Sequence, residues 1–248
     1  MSLIRAEGIC KMCNEDFSLK DIDFEIEEKG IYGFLGSRGA GNSSLARILS
    51  GAWDIDAGHL FYGDREMYLS DKQDASIKNK IGYVPEKPLF DKKSTAFEIL
   101  DFVGKAKKVD PDKRYRQIKE ALELTGLTQK SEMLISDFAL NEKKRLAIAA
   151  SLLGNPDVII WDEPLRYLDA KQAADIKKLL GMLKNKKVVL IFSANSQDVE
   201  DICDNIGVLS NGELVLWKSK EELVSILKEN RLGGLSDVLD AFNSKEAE

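Results

Sequence analysis

The sequence predicts an α/β fold with three parts: a parallel sheet with flanking helices, an antiparallel strand-rich subdomain and a helical lobe. Residues 1–85 contain strand-like segments separated by turns, and residues 86–155 have mostly helical apolar spacing. Residues 156–216 alternate between strand-like and helix-like segments. Such alternation is typical of parallel strands joined by crossover helices.

The first element that carries chemistry is a glycine-rich segment from Gly36 to Ser43. It reads GSRGAGNS, which is the phosphate-binding pattern GxxxxGK[ST] with asparagine in place of lysine. An apolar strand-like run precedes it and a helix-like run follows. Glycines let successive backbone N–H groups point at phosphate oxygens, and the N-terminus of a helix attracts anions.

This segment predicts a P-loop NTPase-like sheet and a nucleotide site. The expected nucleotide-binding residues are Gly36, Ser37, Arg38, Gly39, Ala40, Gly41, Asn42, Ser43 and Ser44. On this segment alone, an ordinary glycine-rich turn before a helix remains an alternative.

An apolar run over residues 157–161, followed by two adjacent carboxylates, predicts a buried parallel strand. Ligands bind at the carboxyl ends of such strands in open α/β sheets. We therefore expect Asp162 and Ser43 to hold magnesium and Glu163 to orient an attacking water. A pair of surface acids after a core strand is the alternative.

In this order, the segments resemble the ATP-binding subunit of an ABC transporter, of the type that serves multidrug and lantibiotic-like exporters. The similarity runs from about residue 3 to about residue 215, and it includes residues 81–85, 145–149, 152–156 and 168–169. The resemblance implies an ATP-binding domain over 1–218, with the helical lobe at about 86–155, and a C-terminal helical tail over 219–248.

The resemblance also implies ligands, partners and a location. The ligands are ATP and Mg²⁺. The partners are a separate ABC-type membrane permease and a second ATP-binding subunit, in a homodimer or a heterodimer. The location is cytoplasmic, at the inner face of the cell membrane. Residues 86–97 are the expected permease-docking surface, with Pro88, Leu89 and Phe90 as exposed apolar anchors.

Several family positions hold other residues. Cys13 replaces the aromatic residue that stacks on adenine, and Asn42 replaces the lysine of the phosphate loop. Glu86 replaces a glutamine, Ala139 and Asn141 replace the serine and a glycine of the signature, and Ala194 replaces the switch histidine. The loop after Pro164, usually small and glycine-bearing, carries Leu165, Arg166 and Tyr167.

These departures predict weak or absent hydrolysis, because phosphoryl transfer depends on positioning and electrostatic stabilisation. Glu163 would then be little used. Glu86 is a further candidate magnesium ligand, and Arg38 supplies some of the attraction for phosphate that the absent lysine would give. Neither composite site of a dimer would be complete, since this chain lacks groups on both of the surfaces that enclose a nucleotide.

Two interpretations of function remain open. The first is a transporter subunit that binds ATP, and the second is a non-enzymatic regulatory or scaffold pseudo-ATPase that pairs with an active subunit. A decaying gene copy also fits the sequence. The net charge of −6 argues against a nucleic-acid partner, and the apolar runs of the 248 residues are only strand-length.

Overall fold

The computed structural model describes residues 2–67, 74–230 and 232–244. Four strands form an antiparallel sheet in the order β2-β1-β4-β5, with bounds β1 (Ile4–Met12), β2 (Ser18–Ile26), β4 (Ala57–Tyr62) and β5 (Arg65–Met67). Strand β2 alternates between the core and solvent, with Ile22, Phe24 and Ile26 buried. This alternation is expected of a sheet with one face on the core.

The second sheet has six strands in the order β10-β9-β3-β8-β7-β6. The bounds are β3 (Gly30–Gly36), β6 (Ile81–Val84), β7 (Val158–Asp162), β8 (Val188–Ser193), β9 (Asn205–Ser210) and β10 (Glu213–Ser219). Every residue of β3, β7 and β8 is buried, as continuous apolar runs predict for parallel strands covered on both faces.

The second sheet is not wholly parallel, because β10 pairs with β9 in the antiparallel sense. Asn211 and Gly212 connect the two strands and both have positive φ angles, 43° and 85°. A two-residue connection of this kind makes a hairpin, since a parallel pair would need a long crossover.

Three helices lie between β6 and β7 along the chain: α3 (Ala96–Ala106), α4 (Pro111–Leu124) and α5 (Leu140–Leu152). They enclose an apolar cluster of their own, which includes Leu100, Ile118 and Leu146. Thr95 and Glu98 form a capping box at the start of α3, and Asp110 caps α4, whose first residue is Pro111. With the two sheets, these helices confirm the predicted α/β class.

The remaining helices are α1 (Asn42–Leu49), α2 (Asp74–Lys78), α6 (Ala170–Leu183), α7 (Ser196–Ile202), α8 (Lys220–Glu229) and α9 (Leu235–Ser244). The last two pack on the core, since Leu223, Leu235 and Val238 belong to the same buried cluster as Val199. The division at residue 218 stays a prediction. No helix in the described ranges is long and apolar enough to cross a membrane.

Helix α5 joins the three-helix lobe to the second sheet. Trp161 of β7 is fully buried, and its Nε1 atom donates to the Ser151 hydroxyl of α5 at 3.0 Å. The indole therefore lies at the contact between lobe and sheet, one residue before Asp162.

Candidate nucleotide site

A cavity of about 600 Å³ opens at the carboxyl ends of β3, β6, β7 and β8. Its lining residues are Asn14, Phe17, Gly36, Ser37, Arg38, Gly39, Gly41, Asn42, Ser43, Ser44, Glu86, Lys87, Asp162, Glu163, Arg166 and Ala194. All the predicted nucleotide-binding residues line it except Ala40, which is buried. Ala139 and Asn141 do not line it.

The glycine-rich loop curls tightly between β3 and α1. Gly39 and Gly41 have φ angles of 92° and 118°, a region that L side chains rarely adopt. A Cβ atom on Gly41 would also lie 2.6 Å from Leu19 Cδ2. The loop therefore keeps the backbone shape that a phosphate cradle requires.

The Asn42 amide is held by the backbone. Its Nδ2 atom donates to the carbonyls of Gly36 at 3.1 Å and Ser193 at 3.2 Å. Its Oδ1 atom is buried and has no hydrogen-bond partner within the described ranges. One bond thus ties the loop to the end of β8, the other closes the loop on its own first residue, Gly36, and the side chain supplies no cation.

Asp162 and Ser43 are close enough to share a metal ion. Burial raises the pKa of Asp162, while a hydrogen bond from the Ser43 side chain and the charge of Lys144 lower it. The Oδ1 atom of Asp162 is buried and has no hydrogen-bond partner in the part of the chain that is described. An unpartnered carboxylate oxygen beside a hydroxyl fits Mg²⁺, which often binds through one or two carboxylates and the substrate phosphates.

Comparison with known proteins identifies the family of this chain. The family model described as ABC transporter matches residues 19–166, more than half of the chain. The chain belongs to the ATP-binding subunits of ABC transporters.

Curated relatives agree with this family. The linearmycin resistance ATP-binding protein LnrL of Bacillus subtilis is 31% identical over 233 residues, which cover 94% of this chain and 72% of LnrL. The bacitracin transport ATP-binding protein BcrA of Bacillus licheniformis is 30% identical over 216 residues, which cover 86% of this chain and 69% of BcrA.

Solved structures share the fold. CbiO1 of Clostridium perfringens, part of the ABC transporter complex CbiONQ, is 25% identical with a TM-score of 0.76 and covers 90% of this chain and 91% of its own. The ATP-binding cassette MJ0796, solved as a dimer bound to ADP and phosphate, is 22% identical with a TM-score of 0.80. That likeness covers 88% of this chain and 98% of MJ0796.

Glu163 is positioned by backbone atoms in this ABC subunit. The N–H group of Ala194 donates to Glu163 Oε1 at 2.8 Å, and the Glu163 N–H donates to the Phe192 carbonyl at 2.8 Å. Burial raises the pKa of Glu163, and the Ala194 hydrogen bond lowers it. Ala194, which the sequence predicts at the switch-histidine position, therefore bonds to the carboxylate through its backbone N–H.

The predicted signature positions, Ala139 and Asn141, lie at the start of α5. Asn141 Nδ2 donates to Gln172 Oε1 of α6 at 3.2 Å, and the Ala139 N–H donates to Glu142 Oε2 at 2.9 Å. Leu140, between them, is 62% exposed. These side chains bond within their own subunit or face outward, and none of them reaches the cavity.

Sequence reasoning missed two cavity cations and one aromatic residue. Lys87 and Arg166 line the wall, and Arg166 forms an ion pair with Glu86. Phe17 is the one aromatic residue on this wall in the described ranges, whereas Cys13 does not line it. Opposite charges at two unusual positions, 86 and 166, were the available signal for the ion pair.

Sequence reasoning also missed Lys144, which is fully buried beneath the cavity. Its Nζ atom donates to the carbonyls of Pro85 at 2.9 Å, Glu86 at 3.0 Å and Asp162 at 2.8 Å. Burial lowers the pKa of Lys144 to about 8, and the neighbouring carboxylates, Asp162 first, raise it. One side chain of α5 thus ties the segment after β6 to the end of β7.

Proposed function

We propose that this chain is the ATP-binding subunit of an ABC transporter, that it binds ATP with Mg²⁺ weakly, and that it hydrolyses ATP at or near background. The pairing of Ser43 with Asp162 beside an intact glycine loop supports nucleotide binding. The single observation that carries impaired hydrolysis is the Asn42 amide, whose donors are both bonded to backbone carbonyls.

Charge in the cavity supports weak binding. Three cationic residues line it, Arg38, Lys87 and Arg166, together with three carboxylates, Glu86, Asp162 and Glu163. A unit charge about 4 Å from a phosphate oxygen contributes roughly 4 kcal/mol at an effective dielectric of 20. The missing lysine removes one such attraction, and Glu86 adds one repulsion where the family has a neutral amide.

The dimer interface gives a second reason for impaired hydrolysis. In the family, each nucleotide lies between the phosphate loop of one subunit and the signature of the other. This chain would bring Ala139 and Asn141 to the partner's site, and Asn141 is already bonded to Gln172. Pairing with an active subunit would therefore leave both composite sites short of donors.

The experiment is ATP turnover by the purified chain, alone and with a candidate permease. We expect release of phosphate at the background rate, unchanged by Glu163→Gln. Turnover in the ordinary range of about 1–10³ per second that Glu163→Gln abolishes would show that the remaining groups are sufficient for catalysis.

We further propose that the chain works at the cytoplasmic face of the membrane by docking on a separate permease. A groove of about 360 Å³ between the lobe and the second sheet is lined by residues that include Pro88, Leu89 and Phe90. Leu89 is 92% exposed, so it can insert into a partner. Phe90 is partly buried against the core clusters, and Pro88 is half-buried, so neither is the exposed anchor expected from sequence.

Co-purification with the permease tests this docking. Leu89→Asp should abolish capture of the chain, whereas Met182→Asp should not, because Met182 is 59% exposed on α6 outside the groove. Equal capture of both variants would exclude the groove as the docking surface.

The second candidate function is a non-enzymatic scaffold that keeps the fold and pairs with an active subunit. The neutral balance of cations and carboxylates in the cavity favours it. If the chain co-purifies with the permease but calorimetry detects no binding of ATP, the scaffold function would replace the first proposal.

A further inference from the structure

Glu86 and Arg166, which both depart from the family pattern, form an ion pair on the wall of the nucleotide cavity. Glu86 follows β6, Arg166 follows β7, and Nη1 of Arg166 donates to Oε1 of Glu86. Both side chains line the cavity, and they are 29% and 30% exposed. A carboxylate and a guanidinium that are far apart in the sequence therefore form one ion pair on the cavity wall.

The backbone on both sides of this ion pair is anchored. The Glu86 carbonyl accepts a hydrogen bond from Lys144 at 3.0 Å. The Arg166 N–H donates to the Glu163 carbonyl at 3.2 Å, and the Leu168 N–H donates to the Leu165 carbonyl at 3.2 Å. The ion pair can therefore open by rotation of two partly exposed side chains, without movement of either segment.

The Arg166 guanidinium has donors to spare. Of the described residues, Glu86 is the only hydrogen-bond partner of this side chain, and the Tyr167 ring lies 5.2 Å from its central carbon. A guanidinium carries five N–H donors in a fixed fork, which matches a phosphate group in a two-point contact. Arg166 thus combines a fixed charge, a flexible stem and unused donors at the cavity.

We propose that Arg166 is a cation that contacts the phosphates of the bound nucleotide, and that Glu86 holds Arg166 as a competing anion in the free protein. This inference rests on the proposed function, nucleotide binding in this cavity. The loop itself offers no lysine, and the Asn42 amide is bonded to Gly36 and Ser193. Nucleotide affinity is then reduced by the fraction of molecules in which the ion pair is closed.

Calorimetric titration with ATP, without magnesium so that no metal bridges to Glu86, tests this proposal. Glu86→Gln should raise affinity about tenfold, since Arg166 is released and a carboxylate is removed. Adding Arg166→Gln to Glu86→Gln should then lower affinity about tenfold or more, because a charge-assisted contact with phosphate is lost. These two variants both lack the carboxylate, so their comparison reports on Arg166 alone.

The matched control makes the same charge changes on an exposed ion pair of α4. Arg116 Nε lies 3.5 Å from Glu120 Oε1, the two residues are four positions apart in the sequence, and neither lines the cavity. Glu120→Gln, alone and with Arg116→Gln, should leave ATP affinity within about twofold, since exposed ion pairs contribute little. Thermal melting of every variant checks that each one is folded.

Two outcomes overturn the proposal, and they are distinguishable. Equal ATP affinity of Glu86→Gln with and without Arg166→Gln would show that Arg166 does not contact the nucleotide, while nucleotide binding itself stands. Absence of ATP binding in the wild type, in Glu86→Gln and in Asn42→Lys would overturn the proposed function together with this inference.

Discussion

Replacement of Lys144 by methionine should destabilise the protein strongly. The Lys144 side chain has no exposed surface, and its ammonium group donates to three carbonyls at 2.8–3.0 Å. Methionine keeps most of the volume and removes all three donors. Because a buried acceptor left without a partner costs about 1–3 kcal/mol, the loss of all three bonds, of which the bonds to Pro85 and Glu86 are only partly buried, costs roughly 3 kcal/mol.

The loss is measurable by thermal and denaturant unfolding. For a domain of 150–250 residues, about 1 kcal/mol shifts the melting temperature by 2–4 °C, so Lys144→Met should melt about 6–12 °C below the wild type. Lys143→Met is the matched control on the same helix, because Lys143 is only half-buried and its ammonium group donates no hydrogen bond to another described residue. Its stability should change by less than about 0.5 kcal/mol.

A Lys144→Met melting temperature within about 2 °C of the wild type would refute the reasoning. It would mean that the cost of burying the ammonium group offsets its three hydrogen bonds, as happens for some buried charges.

Three further predictions concern the phosphate loop and the lobe. Asn42→Lys should raise ATP affinity by about ten- to a hundred-fold in calorimetry, while phosphate release stays at background because Ala194 still has no imidazole; turnover restored by this change alone would contradict us. Lys108→Gly should raise the free energy of unfolding by roughly 1 kcal/mol in a denaturant titration, because exposed Lys108 directly follows the C-cap residue of α3 and has a φ of 56°. Lys105→Gly, inside the helix, should lower the free energy of unfolding by about as much. A change in the same direction for both variants would contradict the argument. Lys107 donates to two backbone carbonyls, and burial lowers its pKa to about 8; the unfolded chain then binds more protons above pH 8, so the stability contribution of Lys107 rises with pH. The stability lost in Lys107→Met should therefore grow by about 1.4 kcal/mol between pH 7 and pH 9, and a loss independent of pH would show that the pKa is not lowered.

The sequence predicted the parts of the site that depend on local pattern. The glycine spacing around Gly36 and Gly41, and the apolar strand that ends at Asp162, each follow from the conformation of a few consecutive residues. Their meeting at one edge of the sheet follows from the rule that ligands bind at the carboxyl ends of parallel strands.

The contacts that the sequence did not predict are of two kinds. One joins residues that are far apart in the sequence, and the other buries a residue type that is usually exposed. Glu86 and Arg166 were each noted as departures, but their ion pair depends on how β6 and β7 are placed side by side. Lys144 follows Lys143 in a charged stretch of α5, which suggests a solvated face, since lysine is rarely buried. Only the tertiary contact with Pro85, Glu86 and Asp162 makes its burial favourable.

The buried indole of Trp161 gives this protein an optical reporter of its own. It donates to Ser151 of the lobe and precedes Asp162, which lines the candidate nucleotide site. A rotation of the lobe against the sheet would change the polarity around the ring and hence its fluorescence. The chain has three tryptophans, and the other two, Trp53 and Trp217, pack against a different core cluster from Trp161. Changing both to phenylalanine would leave a single intrinsic probe, with which movement between the two parts of the molecule can be followed in solution without an added label.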